Sequence, residues 1–135
     1  GNIVPVIAPL GVGADGETFN VNADWAAAKI AMALNVSQVI YLTDQCGILD
    51  AEKKEIHQLD ELGLQDLMNT GVVSGGMYAK AQTILALLAA GVEFVRVLHA
   101  EDILTGLWSD RVGTQCLRAD NFQHLRSMAE SHASV

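Results

Sequence analysis

The chain has 135 residues, half of them hydrophobic and 18% charged, and its formal net charge is −8 at pH 7. That length suits one compact domain, and the balance of apolar and charged residues excludes a disordered or coiled-coil chain. The eight Lys and Arg residues are scattered and form no basic stripe. Binding to nucleic acid and docking on an anionic membrane are therefore disfavoured.

Cysteine and histidine usage gives no sign of a metal site. Cys46 and Cys116 form no CxxC motif, and the four histidines have no ligand spacing. We expect no metal site built from these side chains, and two reduced cysteines in a cytoplasmic protein. The longest apolar stretch, residues 84–92, is too short to cross a bilayer, and no signal peptide opens the chain.

The first third of the chain alternates between strand and helix patterns. Residues 3–10 are an apolar run typical of a buried strand, and residues 11–18 have the composition of a loop. Residues 24–35 are Ala-rich with apolar side chains at helical spacing, and Asn22 is a plausible N-cap. The apolar run 38–42 predicts a second buried strand.

The rest of the chain continues the alternation. The further predicted elements are a loop over 43–50, a surface excursion over 53–57, a short helix over 60–69, a turn over 72–76, an apolar helix over 77–90, a strand over 93–98, a short helix over 102–108, a strand over 113–117, and a terminal helix or frayed tail over 122–131. Such alternation predicts an α/β fold, a three-layer sandwich with a mainly parallel sheet. Ligands of such sheets bind at the carboxyl ends of the strands.

Residues 11–16 spell G-x-G-x-x-G directly after a predicted strand. A dinucleotide-binding fingerprint needs a helix to open at its third glycine. Here residues 17–23 intervene before the helix, so a hairpin or loop is the favoured interpretation. An NAD-binding Rossmann-like module stays open as an alternative.

Residues 19–24 carry Asn20, Asn22 and Asp24 at alternate positions. If this stretch is extended, the three side chains point to one side and suit a substrate with carboxylate and amide groups. If it opens a helix, Asn22 caps it and Asp24 complements its dipole, which leaves Asn20 unexplained.

Two further segments have the composition of ligand-binding loops. Thr43 and Asp44 begin the loop that follows a buried strand, where they are placed equally well to touch a ligand or to end the strand in a turn. Gly75 and Gly76 precede an apolar helix, where backbone N–H groups can approach an anion closely. Lys80 lies one turn further and is the only charge in that helix, so we favour a phosphate-binding role over a solvated surface lysine.

Five motifs together resemble the C-terminal half of N-acetylglutamate kinases, in the amino-acid kinase family. The motifs are VPVIAPLGV (4–12), FNVNAD (19–24), IYLTDQCGILD (40–50), GVVSGGMYAK (71–80) and HAEDILTGLWSDRVGTQ (99–115). The resemblance runs from about residue 2 to residue 118. It implies a nucleotide-binding half over residues 1–118 and a C-terminal tail or helix over residues 119–135.

The resemblance implies ATP-dependent phosphorylation of the γ-carboxylate of N-acetyl-L-glutamate, with Mg²⁺, in arginine biosynthesis. It implies catalytic roles for Lys80, which stabilises the transferring phosphoryl group, and Asp24, which organises the catalytic lysines. It assigns Asn20 and Asn22 to substrate binding. It assigns nucleotide binding to Thr43, Asp44, Gly47, Gly75, Gly76 and Met77.

The resemblance also implies an incomplete site. Kinases of this family supply a second lysine, glycine-rich phosphate loops and a substrate-binding arginine from their first strands, and this chain has no equivalent of them. We therefore expect the chain to be inactive alone, and the complete protein to be a homo-oligomer. A non-catalytic kinase-like regulatory domain that binds arginine or N-acetylglutamate is a further alternative.

Overall fold

Strands and helices alternate through residues 2–134, the part of the chain that the computed structural model describes. The strands are β1 (Leu10–Val12), β2 (Thr18–Asn20), β3 (Gln38–Thr43), β4 (Gln58–Asp60), β5 (Phe94–His99) and β6 (Thr114–Leu117). The helices are α1 (Ala23–Leu34), α2 (Glu61–Asn69), α3 (Gly75–Ala89), α4 (Ile103–Gly106) and α5 (Ala119–Ala133), with a 3₁₀ turn at Ala100–Asp102.

The central sheet has four strands in the order β3-β5-β6-β4. β3 runs parallel to β5 and β4 runs parallel to β6, whereas β5 and β6 are antiparallel. The prediction of a mainly parallel sheet is confirmed. The short strand β4 had no signal in the sequence, because its three residues include only one apolar side chain, Leu59.

Both faces of the sheet are covered, which makes the fold a three-layer sandwich. Val95 and Val97 of β5 face the main core, which includes Ile84 of α3. On the opposite face, Arg96 donates hydrogen bonds to backbone carbonyl groups in the segment after α4. The side chain of Leu98 packs there against α4. This alternation along one strand follows from the two-residue period of β structure.

The prediction of a buried strand over residues 3–10 is wrong. Only Leu10 of that run belongs to a strand, and β1 pairs antiparallel with β2 in a two-stranded hairpin outside the main sheet. Ile3, Val4, Val6 and Ile7 are exposed, by 61% to 95%. The two prolines of the run lack the N–H groups that a sheet ladder needs, so an apolar composition alone does not make a strand here.

The helix predictions are largely confirmed. α1 begins and ends within one residue of the predicted range, and Asn22 caps it by accepting a hydrogen bond from the backbone N–H of Trp25. α3 begins two residues earlier than predicted, at Gly75. The tail forms a helix rather than a frayed end, although none of its side chains is buried. Within residues 2–134, no helix is long and apolar enough to cross a membrane.

Candidate functional site

An ion pair joins the first turn of α1 to the second turn of α3. The ammonium nitrogen of Lys80 lies 2.6 Å from Oδ1 of Asp24, and the two side chains are only 12% and 24% exposed. The alternative of a solvated surface lysine is therefore wrong. The pair forms because α1 and α3 pack side by side over the sheet, which brings together residues 56 positions apart.

Tyr41 of β3 lies directly under this ion pair. The Lys80 ammonium is 4.6 Å from the centroid of the Tyr41 ring, within the range of a cation–π contact. The Tyr41 hydroxyl donates to the backbone oxygen of Asp24 at 3.1 Å and lies 2.8 Å from the Thr83 hydroxyl. Thr83 in turn donates to the backbone oxygen of Lys80 at 2.7 Å.

Tyr41 keeps its proton at neutral pH. Burial raises the pKa of the Tyr41 hydroxyl above its ordinary value; the Thr83 hydrogen bond opposes this, and the charge of Asp24 adds to it. Sequence reasoning missed both hydroxyl residues. The available signal was a phenol within a short apolar strand and a threonine inside an otherwise apolar helix.

The N-terminus of α3 is open on its outer side. Ser74 occupies the N-cap position, yet its side chain makes no cap hydrogen bond. The first N–H groups of any helix lack partners within the helix, and its dipole attracts negative charge there. A Cβ atom added to Gly75 or Gly76 would meet no heavy atom within 4 Å, so the space beside these backbones is unfilled.

The loop after β3 is held against the first residue of β6. The backbone N–H of Ile48 donates to the Thr114 hydroxyl at 2.8 Å, and a Cβ atom on Gly47 would lie 2.7 Å from that same oxygen. Gly47 is buried, and it allows the loop to pack closely against Thr114. Thr43 and Asp44 are hydrogen-bonded to each other at 3.2 Å, and Asp44 is exposed.

A cleft of about 180 Å³ separates this loop from the start of α3. Its apolar walls and its polar groups come from the loop after β3 and from the turn before α3. The lining residues are Gln45, Leu49, Asp50, Lys53, Val72, Val73, Ser74 and Met77. The site thus combines a small, mostly polar cleft, an open helix N-terminus and a shielded lysine.

The side chains of Asn20 and Asn22 make no hydrogen bond to this cluster within residues 2–134. α1 begins at Ala23, so the extended arrangement considered for residues 19–24 is wrong for Asp24, which lies in the first helical turn. Asn22 uses its side-chain oxygen as the cap of α1. Asn20 ends β2 opposite Leu10 and is exposed.

The G-x-G-x-x-G segment has the wrong geometry for a dinucleotide. It forms the turn of the β1–β2 hairpin, where the N–H of Gly13 donates to Glu17 and the N–H of Gly16 donates to Gly13. A dinucleotide fingerprint needs its glycines to open a helix whose N-terminus receives the pyrophosphate. The NAD-binding alternative is therefore wrong.

Comparisons with known proteins agree with this fold. The model of the amino acid kinase family matches residues 1–99. Acetylglutamate kinase of Rhodospirillum centenum is 42% identical over 97 residues, which are 72% of this chain and 32% of that protein. Acetylglutamate kinase of Zymomonas mobilis is 42% identical over 121 residues, which are 87% of this chain and 40% of that protein.

A solved structure gives the same result for the fold. N-acetylglutamate synthase from Neisseria gonorrhoeae, complexed with coenzyme A and L-arginine, superposes with a TM-score of 0.76 at 27% identity, over 83% of this chain and 27% of that one. The chain spans less than half the length of these curated relatives. The matched family model covers most of the sequence, and the chain belongs to the amino acid kinase family.

Proposed function

We propose that this chain is the ATP-binding half of a kinase that phosphorylates the γ-carboxylate of N-acetyl-L-glutamate. The observation that carries the proposal is the shielded Asp24–Lys80 ion pair between α1 and α3. Phosphoryl transfer depends mainly on positioning and on neutralising the charge of the moving group. A lysine held by a carboxylate and largely removed from water supplies a positive charge at a fixed place.

The start of α3 supports the same proposal. The open N–H groups of Gly75, Gly76 and Met77 and the helix dipole favour an anion at this end of the helix. Lys80 follows in the next turn of the same helix, and helical side chains lean toward the N-terminus. The phosphates of ATP would receive N–H groups from the helix and positive charge from Lys80.

The cleft beside the loop after β3 suits the base of the nucleotide. Leu49, Val72 and Met77 offer apolar contacts to a planar ring, and Gln45 offers amide hydrogen bonds at the edge. Because the lining of the cleft is mostly polar, hydrogen bonds to the edge of the base would contribute alongside these apolar contacts. Thr43, Asp44 and Gly47 would shape the loop that borders the nucleotide.

Mg²⁺ would arrive with the nucleotide. Within the part of the chain that the structure describes, no three His, Cys, Asp or Glu side chains are grouped as a metal site. The described residues could therefore hold Mg²⁺ only together with a nucleotide, in the usual arrangement in which substrate phosphates and one or two carboxylates bind the ion. When bound, the ion would neutralise phosphate charge, and exposed Asp44, which directly follows β3, is a candidate carboxylate for it.

Asn20 is the stronger of the two candidate substrate residues, because its side chain is exposed and Asn22 is already used as a helix cap. An amide can donate to the substrate carboxylate and accept from its N–H group. We assign residues 1–118 to the nucleotide-binding half and residues 119–135, most of which form α5, to a separate tail.

Alone, the chain would bind nucleotide without turning over. Its net charge is −8, and a single shielded lysine leaves most of the charge of MgATP and a carboxylate substrate unbalanced. A kinase-like regulatory domain that binds arginine or N-acetylglutamate is the second candidate, favoured by the likeness to the synthase. The shielded, paired Lys80 favours the kinase, because a purely regulatory site has no need of a positive charge held at a fixed place.

Titration of the chain with MgATP, followed by backbone amide NMR, tests the proposal. We expect shifts centred on residues 43–47 and 75–80, and a large loss of affinity in Lys80→Ala. Lys29→Ala removes an exposed lysine from α1 and should leave the affinity unchanged. Shifts caused by L-arginine with none caused by MgATP would reject the kinase half in favour of the regulatory domain.

A further inference from the structure

The hydroxyl pair of Tyr41 and Thr83 ties together the two residues that form the ion pair. We propose that Tyr41, supported by Thr83, is a positioning residue that fixes the Lys80 ammonium for contact with a phosphate group. The inference rests on the proposed nucleotide site, since it assigns the geometry of the lysine that would contact the phosphates. Neither Tyr41 nor Thr83 receives a role from the family resemblance.

Each hydroxyl contact leads to one partner of the ion pair. Tyr41 is bonded to the backbone oxygen of Asp24, and Thr83 is bonded to the backbone oxygen of Lys80. The hydroxyl oxygens of Tyr41 and Thr83 also lie 2.8 Å apart, and either hydroxyl can donate to the other. The two hydroxyl protons serve two of these three contacts at a time, because each hydroxyl has a single O–H donor. In every such arrangement the pair lies between the first turn of α1 and the second turn of α3, behind the Asp24–Lys80 contact.

Burial makes this link costly unless it is satisfied. Tyr41 is 5% exposed and Thr83 is fully buried, and both are surrounded by the main apolar core. A buried hydroxyl without a partner costs free energy, and phenylalanine and valine would fill the same space without that cost. Apolar residues could fill this part of the core, so what the two hydroxyls add is a fixed orientation of the backbone groups that they contact.

The arrangement leaves one side of the ammonium for a ligand. A lysine ammonium carries three N–H donors. Asp24 accepts one, and the Tyr41 ring face lies 4.6 Å away on another side. Among residues 2–134, no second side chain accepts a hydrogen bond from Lys80, and its side chain keeps 12% exposure. The remaining direction is the one from which a phosphate oxygen can approach.

NMR of the lysine side chain in the 135-residue chain tests this inference directly. In the wild type, the ring of Tyr41 should shift the ε-methylene protons of Lys80 upfield, and the hydrogen-bonded ammonium should give an observable N–H signal. Tyr41→Leu should abolish both features. Tyr41→Phe and Thr83→Val should keep the ring shift but weaken the ammonium signal. Tyr78→Phe and Tyr78→Leu, on exposed Tyr78, are matched controls that should change neither.

A second measurement separates positioning from general loss of structure. MgATP and adenosine share the base and ribose, but only MgATP offers phosphates to Lys80. Tyr41→Phe should weaken MgATP binding about three- to tenfold, the range that one lost hydrogen bond gives, and should leave adenosine binding unchanged. A loss of local structure would weaken both ligands equally and would overturn the inference.

The two proposals fail in different ways. Lysine signals that are identical in wild type, Tyr41→Phe and Tyr41→Leu overturn the positioning role, even if MgATP binds. Absence of MgATP binding to the wild type counts against the nucleotide site, while the lysine signals still decide whether Tyr41 fixes Lys80. Amide spectra of each variant show whether it is folded. If Tyr41→Leu does not fold, the Lys80 ammonium signal of Thr83→Val tests the positioning role independently.

Discussion

The Asp24–Lys80 contact is an ion pair largely shielded from water, and its two members should depend on each other for stability. Asp24→Asn leaves the Lys80 ammonium without a charged acceptor and should lower the free energy of unfolding by about 1–3 kcal/mol. Lys80→Met, which leaves Asp24 unpaired, should cost a similar amount. The double variant should lose less than the sum, by a coupling of about 1–3 kcal/mol, measured by urea unfolding.

An exposed ion pair in the same chain serves as the control. Arg118 and Asp120 lie 3.3 Å apart with side chains that are 44% and 68% exposed. Solvent screening should limit the coupling in Arg118→Met and Asp120→Asn to below about 1 kcal/mol. Equal coupling in the two cycles would mean that the contact between α1 and α3 is no better shielded than a surface contact.

Cys116 should make the chain sensitive to alkaline pH. Burial raises the pKa of its thiol from 9.0 to about 12. Above pH 9 the unfolded chain releases this proton while the folded chain retains it, so the folded state loses stability as pH rises from about 9 toward 12. The contribution is fully present below pH 9 and falls by up to about 1.4 kcal/mol per pH unit above it.

Cys116→Ala should remove this part of the alkaline slope. Urea unfolding under reducing conditions at neutral pH and at several pH values above 9 measures it. The variant should be less stable at neutral pH, because a small cavity replaces the sulfur, but its stability should fall less steeply. Parallel pH curves for wild type and Cys116→Ala would contradict the expectation. Cys46→Ala, at an exposed position, is the matched control.

At the scale of the element, the start of α3 combines two glycines with different backbone requirements. Gly75 has φ = +58°, in the region that residues with a side chain rarely adopt, whereas Gly76 is not among the positive-φ residues. Gly75→Ala should therefore cost about 1–2 kcal/mol of stability. Gly76→Ala should preserve or raise stability, since alanine favours helices by about 1 kcal/mol over glycine.

Nucleotide binding should respond differently at these two positions. A methyl group on Gly76 would stand beside the N–H groups that we propose for phosphate contact, so Gly76→Ala should weaken MgATP binding in a chain that is no less stable. Gly71, which also has positive φ but lies outside the proposed contact, gives the control Gly71→Ala, with lower stability and unchanged affinity. An unchanged MgATP affinity in Gly76→Ala would argue against the helix start as the phosphate site.

Sequence patterns predicted the elements whose signals are local. Asn22 and the Ala-rich run after it defined α1, and the glycines before Met77 marked the start of α3 within two residues. Residues 3–10 gave an equally apolar signal, but burial of a strand depends on a partner strand, which the local pattern does not specify. β4 was missed because pairing with β6 defines it and its own composition does not.

The pairing of Asp24 with Lys80 was implied by the family resemblance but by no local pattern. Their hydrogen bond depends on how α1 and α3 pack across 56 positions. Tyr41 and Thr83 gave only weak signals, because a phenol in a strand and a hydroxyl in a helix are common in cores. Their importance follows from the partners that the tertiary fold gives them.

At the scale of the whole molecule, one side of the sheet presents unpaired backbone and apolar side chains. Among the described strands, β3 is an edge strand that pairs only with β5. Exposed Val6 and Ile7 belong to the run before β1, and Ile7 lines a groove together with Gln38 and Val39 of β3. Exposed strand edges and apolar patches promote association. The net charge of −8 opposes it by repulsion between copies. We therefore expect concentration-dependent self-association that strengthens with salt.

Sedimentation velocity at several concentrations measures this balance. At about 1 M salt the Debye length falls to about 3 Å, so repulsion is screened while apolar contact is not. Val6→Lys combined with Ile7→Lys should abolish the association, because the change places charge within the apolar run. Glu52→Gln combined with Glu130→Gln changes the net charge by the same amount at exposed sites elsewhere and should not reduce it. A monomer at every concentration, in low and high salt, would show that neither the β3 edge nor the exposed apolar run drives association.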